Sequence, residues 1–208
     1  MDAAALFQEG RMRTTDPARR EELDRTFLRA AGEAIRFDPG ALEPRYALLN
    51  YHRFHEDIQS ASVVCEEILR MRPSKEIVAV AHELAGLNLQ GLKPGDPRGT
   101  GRVDMAYRLL SEIVEIAPNL ADGHRELARL MLFHKTEQRD QLQSALAHAR
   151  TAVELDPHAP NFEVLSLAFY RLGNIGESRQ ALLDGLRVHP DDKRLQEQLM
   201  KLSEKYRE

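Results

Sequence analysis

The stretch FEVLSLAFYRLGNIGESRQALLDGLRVHP, residues 162–190, decides the fold. Phe162, Leu165, Ser166 and Phe169 fall at i, i+3, i+4 and i+7, the spacing of one helix face. Gly173-Asn174 interrupts that pattern with turn chemistry. Ser178, Leu182 and Gly185 then recur at helical spacing, and Pro190 stops the second helix. The stretch reads as a helix–turn–helix unit. One such unit is weak evidence, so the rest of the chain must repeat it.

Five prolines close apolar helical patterns: Pro39, Pro73, Pro118, Pro157 and Pro190, at spacings of 34, 45, 39 and 33 residues. Counting back twelve from each gives Phe27, Ala61, Ala106, Ala145 and Ser178. Eight back stand Ala31, Cys65, Leu110, Ala149 and Leu182; five back stand Ala34, Ile68, Ile113, Ala152 and Gly185. Four back stand Ile35, Leu69, Val114, Val153 and Leu186. Two back stand Phe37, Met71, Ile116, Leu155 and Val188, also all apolar. Three back stand Arg36, Arg70, Glu115, Glu154 and Arg187, none of them apolar. The offsets of twelve, eight, five and four lie on one helical stripe, and the charged column lies off it. Cys65 sits in an apolar column and reads as a small buried hydrophobe.

The unit resembles the tetratricopeptide repeat, whose pattern is bulky-x2-Leu-Gly-x2-Tyr, then Ala-x3-Phe and Pro, with a 34-residue period. Phe162, Leu165, Ser166, Phe169, Ser178, Leu182 and Pro190 meet it. The resemblance implies an all-α fold: a right-handed superhelical solenoid of antiparallel helix pairs. A single domain over 1–208 is expected, with repeats at 2–39, 42–73, 76–118, 121–157 and 159–190. A capping helix at 191–207 follows, because a last repeat otherwise leaves its apolar face in water.

In chain order, a short helix is expected at 2–13, with Leu6, Phe7 and Gly10. Asp16-Pro17 starts the next helix, which runs to Phe37. Helices are expected at 43–55, 57–72, 76–90 and 103–117. The four glycines and two prolines of Gln90–Arg102 read as irregular. The polar stretch Lys135–Gln141 reads as a loop, and the helix after it ends at Asp156. Asp191 is placed to cap the last helix, with Leu195, Leu199, Leu202 and Tyr206 on one face.

Composition bounds the function. Of 208 residues, 42% are hydrophobic and 30% charged, which suits a protein with a buried core. A net charge of −4 gives no electrostatic case for nucleic acid. One cysteine excludes an internal disulfide framework and a cysteine-rich metal site. No apolar run approaches the ~18 residues that span a bilayer, so no membrane insertion is expected and the chain reads as cytoplasmic.

The resemblance implies a peptide or protein partner held in a concave groove lined by the first helix of each pair. It directs Tyr51, His82, Arg125, Arg129, Tyr170 and Arg171 toward that groove. Arg125 and Arg129 share a helix face, and two guanidiniums there match the carboxylates of an acidic segment. The carboxylate clamp for chaperone tails needs a Lys/Asn pair; Ala47/Tyr51 and Arg125/Arg129 stand in its places, so that activity is not expected. A self-associating homo-oligomeric scaffold is the alternative, suggested by the truncated first unit. The remaining class is a metal-dependent enzyme using His52 and His55, but HRFHE lacks a third ligand at useful spacing. The glycine-rich loop lacks phosphate-loop spacing, and no serine or cysteine has a positioned base. A non-catalytic module without cofactor is the expectation.

Overall fold

A computed structural model describes residues 15–93, 99–134 and 139–206. The helix expected at 2–13 lies outside the described residues. Among them are ten α-helices and no strand. The chain forms two compact units, residues 1–90 and 91–208. The first contains α1 (Pro17–Phe37), α2 (Glu43–Phe54), α3 (Ile58–Met71) and α4 (Lys75–Leu89). The second contains α5 (Thr100–Ile116), α6 (Ala121–His134), α7 (Arg139–Leu155), α8 (Ala159–Arg171), α9 (Ile175–Val188) and α10 (Lys193–Lys205). Within each unit, helices consecutive in sequence pack on one another, and in the second α6 also packs on α8.

The helix starts follow from capping chemistry. The carboxylates of Asp16 and Asp57 accept from the amides of Ala18 (3.0 Å) and Ser60 (3.1 Å). The Ser74 hydroxyl accepts from Ile77. The last helix is capped by Asp192, not by the expected Asp191: Asp192 accepts from the amides of both Arg194 and Leu195 at 3.0 Å. One residue decides this, because a cap must reach the amides two or three positions ahead of it in the first turn. The glycine-rich stretch is also shorter than expected. α5 begins at Thr100, and Gly99 precedes it with its backbone against the Leu92 side chain; a Cβ at Gly99 would come within 2.8 Å of that side chain. Gly101 is tolerated in the first turn, whose amides lack intrahelical acceptors in any case.

The apolar columns explain the packing. Ala61, Ala106, Ala145 and Ser178 are buried at helix crossings, and so are Cys65, Leu110, Ala149 and Leu182 one turn on. The column two before each proline behaves differently. Phe37 is 94% exposed, Val188 50%, and Met71 and Leu155 39% each. That column lies about 100° round the helix from the centre of the buried stripe, so apolar character there does not bring burial.

In the first unit, α3 and α4 share a buried polar contact. Asn88 Nδ2 donates to Ser62 Oγ (2.8 Å) and the Leu84 carbonyl (2.9 Å), while its Oδ1 accepts from Gln59 Nε2. The Asn88 amide is thereby satisfied at both ends, as buried polar groups require. Arg45 is buried on α2 because its guanidinium donates to Glu67 (3.2 Å) and to the Ala41 carbonyl (2.7 Å).

In the second unit, Phe162, Ala159, Leu182 and Leu195 form a core into which Val153, Leu186, Leu199 and Leu202 pack. Four successive helices meet there. The approach is close because Gly185 has no side chain: a Cβ would lie 2.9 Å from Phe162 Cβ and 3.0 Å from Leu195 Cδ1. Ser166 and Ser178 are both buried and share a hydrogen bond of 2.9 Å across the α8–α9 crossing. Between α6 and α7 two imidazoles meet. His124 Nε2 donates to the Pro118 carbonyl (2.9 Å), so its Nδ1 accepts from His148 Nδ1 at 3.0 Å. Burial, and then the neighbouring His124, hold the His148 pKa below the usual imidazole value.

Three outcomes follow from this packing. Ala152→Leu, at a fully buried α7 position, loses roughly 1–3 kcal/mol in urea unfolding. Near-neutrality would mean that α7 is not closely packed there. Gly185→Ala also destabilises, because overpacking of about 1–3 kcal/mol outweighs a helix-propensity gain of about 1 kcal/mol. A stabilised variant would show that α8 and α10 can separate freely. His148 takes up its proton less readily folded than unfolded. Its stabilising contribution is therefore full above about pH 6.5 and is lost as pH falls through the lowered folded value. His148→Gln flattens the loss of urea midpoint between about pH 7.5 and 5; equal slopes for the two proteins would exclude the pair as its source.

Candidate functional site

The sequence-derived candidates divide between the two units. Tyr51 and His82 belong to the first; Arg125, Arg129, Tyr170 and Arg171 belong to the second. Tyr51 is half-buried on α2. Its ring stacks on Phe27 of α1 (centroids 5.1 Å apart) and lies 4.3 Å from the His55 ring. Its flat face is therefore engaged in helix packing. His82 on α4 is half-buried, and its Nε2 has no hydrogen-bond partner among the described residues.

In the second unit α6 and α8 are neighbours, and each contributes two candidates. Arg125 and Arg129 lie one turn apart on α6. Neither stands alone. Arg125 Nη1 contacts Asp122 Oδ1 at 2.5 Å, and its Nε contacts Glu126 Oε1 at 3.1 Å. Arg129 Nε lies 3.5 Å from the other Glu126 oxygen, and its side chain is 57% exposed. Glu126 thus bridges the two guanidiniums. An exposed pair such as Arg129–Glu126 is worth about 0–1 kcal/mol, so a carboxylate from outside can replace it at small cost, whereas the side chains of Arg125 and Glu126 are each 19% exposed.

Tyr170 and Arg171 end α8. Lys205 Nζ of α10 donates to the Tyr170 hydroxyl at 2.5 Å and sits over the rings of Tyr170 (5.2 Å) and Tyr206 (5.7 Å). That hydrogen bond lowers the Tyr170 pKa and raises that of Lys205. Two turns earlier on α8, Glu163 is held above the usual carboxyl range by burial, against the opposing pull of Arg194. The α8 face and the adjoining end of α10 together therefore carry both signs of charge, two tyrosines and a lysine.

Sequence reasoning missed Asp122, Glu126, Glu163, Lys205 and Tyr206. The first two had a signal: Asp122 and Glu126 stand three residues before Arg125 and Arg129, the ion-pairing interval on a helix. Lys205 and Tyr206 had none, because their contact with Tyr170 joins α8 to α10 across about 35 residues.

The HRFHE histidines turn to different acids. His52 Nδ1 lies 3.2 Å from Asp57 and His55 Nε2 3.9 Å from Asp24. Asp57 is held below the usual carboxylate range, first by its hydrogen bond from Ser60. Among the described residues no three His, Cys, Asp or Glu side chains are grouped to hold a metal ion. The thiol of Cys65 is buried and pushed up to about 12, which leaves it an unreactive core group. No helix among the described residues is long and apolar enough to cross a membrane.

No family model and no curated protein matches the sequence. Solved structures do. TTC0263, a thermophilic TPR protein of Thermus thermophilus, is 18% identical, with 88% of this chain and 90% of that one covered and a TM-score of 0.53. YrrB, a TPR protein with an unusual peptide-binding site, is 18% identical over 95% of this chain and 88% of its own, with a TM-score of 0.56. MamA from Desulfovibrio magneticus RS-1, residues 41 to the end, is 20% identical over 93% and 98%, with a TM-score of 0.52. At such identities the likeness is one of fold. The fold of this chain is all-α and of the tetratricopeptide-repeat type, a helical solenoid.

Proposed function

We propose that the chain is a non-catalytic interaction module that binds an extended segment of a protein partner along the first helices of its pairs. In the second unit Arg125 and Arg129 of α6 and Tyr170 and Arg171 of α8 make the contacts. The observation that carries this reading is the pair of neighbouring arginines facing Asp122 and Glu126, with Arg129 57% exposed and 3.5 Å from Glu126. An acidic segment exchanges its own carboxylates for these two. The ends of Tyr170, Tyr206 and Lys205 offer flat apolar area with polar tips beside it. Likeness in fold to YrrB, which has a peptide-binding site, supports the same reading. In the first unit Tyr51 and His82 take part only at their exposed edges, because both are half-buried.

A second reading is self-association into a homo-oligomer. It is favoured by Val188 at the end of α9 and Met200 on α10, 50% and 55% exposed. Light scattering across concentration separates the two readings: a mass that stays at one chain removes the second.

The first is tested by Arg125→Glu with Arg129→Glu. A partner that co-purifies with the unaltered chain is expected to bind the double variant at least about tenfold more weakly, a loss of about 1.4 kcal/mol, with an unchanged circular dichroism spectrum. Equal affinity would remove these arginines from the contact.

A further inference from the structure

The face of α7 carries a second cluster of cationic and amide groups that the groove reading does not use. A cavity of about 320 Å³ lies between α7 and the turn joining α8 to α9. Arg139, Gln143 and Arg150 line it from α7, and Asn174 from the turn; Leu146 and Leu172 supply an apolar floor. No acidic side chain is among the described residues that line it. The contrast with α6 is direct, because Arg125 and Arg129 have Asp122 and Glu126 on their own helix.

Arg150 is held at its end of the cavity by the ring of Phe169, 5.4 Å from the guanidinium carbon. A ring face leaves the edge of the guanidinium, with its N–H groups, open to an acceptor. Arg139 and Arg150 stand eleven residues apart on one face of α7, so they are about 16 Å apart along its axis. A single phosphate is far too small to span that distance. A peptide in extended conformation rises about 3.3 Å per residue and covers it in about five residues. Gln143 lies between the arginines along α7 and Asn174 lines the same cavity, and each can both donate to and accept from a peptide backbone.

We propose that this cavity is a binding site for an extended acidic polypeptide segment, with carboxylates about five residues apart on Arg139 and Arg150. It is separate from the first-helix face and stands whether or not the groove reading holds. Few cations and no stack of exposed rings line it, which favours a peptide over a nucleic acid.

A dye-labelled decapeptide of glutamates, titrated into the full chain, tests the assignment. Arg139→Ala with Arg150→Ala is expected to weaken binding about tenfold or more, while Arg19→Ala with Arg25→Ala, two exposed arginines of α1 outside both sites, changes it less than about twofold. Circular dichroism confirms that both variants are folded; the two α7 arginines are exposed, so their loss leaves the core intact. A glutamine decapeptide, which needs no variant, is expected not to bind. The site is overturned if glutamate and glutamine peptides bind alike, if neither binds, or if the α7 variant keeps full affinity. Displacement of the peptide by tripolyphosphate at equal concentration, or tighter binding of a single-stranded oligonucleotide, would overturn the peptide assignment in favour of those anions.

Discussion

The close approach of helices at small residues is the contact on which the rest of the architecture depends. Gly185 lets Phe162 and Leu195 meet across it, and Ser166 and Ser178 do the same at the next crossing. Burial in such an array is local. Each helix pair hides its apolar stripe only against its neighbours. A lost crossing therefore exposes the faces on both sides of it, and no central core takes up the loss. Small residues at the crossings are thus a geometric requirement. Variation in loop length, with proline spacings from 33 to 45, is tolerated because it falls outside the stripe.

The charges of the second unit are arranged unevenly. On α6 the two arginines share Glu126, and Arg125 also meets Asp122, so cations and carboxylates stand two against two and an incoming acid must compete. On α7 the arginines beside the cavity have none in its lining. Net charge cannot express this difference. A chain at −4 carries one surface where cations are balanced and another where they are not. Recognition depends on that local balance, because surface charges separated by more than about 10 Å are screened from each other in salt.

The helix pattern was legible because burial at the offsets of twelve, eight, five and four depends on periodicity alone. The offset of two was misleading in composition: Phe37 and Val188 are as apolar as the core yet stand in water. Arg45 shows the converse. A charged residue gave no sign of burial, because the sign is carried by Glu67 on the next helix and by the Ala41 carbonyl. The face carrying Arg125 and Arg129 could be read from spacing, as could the acids beside them. The engagement of Tyr51 with Phe27, and of Tyr170 with Lys205, could not. Each joins two different helices through side chains that follow no period.

His124 and His189 share one arrangement. Each directs Nε2 at a proline carbonyl, of Pro118 and Pro157 respectively, at 2.9 Å. A carbonyl can only accept, so each ring must carry its hydrogen on that nitrogen. Its other nitrogen then presents a lone pair in the neutral ring. The position facing it is thereby restricted in what it can become over evolutionary drift. At His148 another donor, an amide or a hydroxyl, preserves the contact, whereas a carboxylate sets two acceptors against each other. The closing proline thus dictates, through one imidazole, the permitted chemistry of a residue on a different helix.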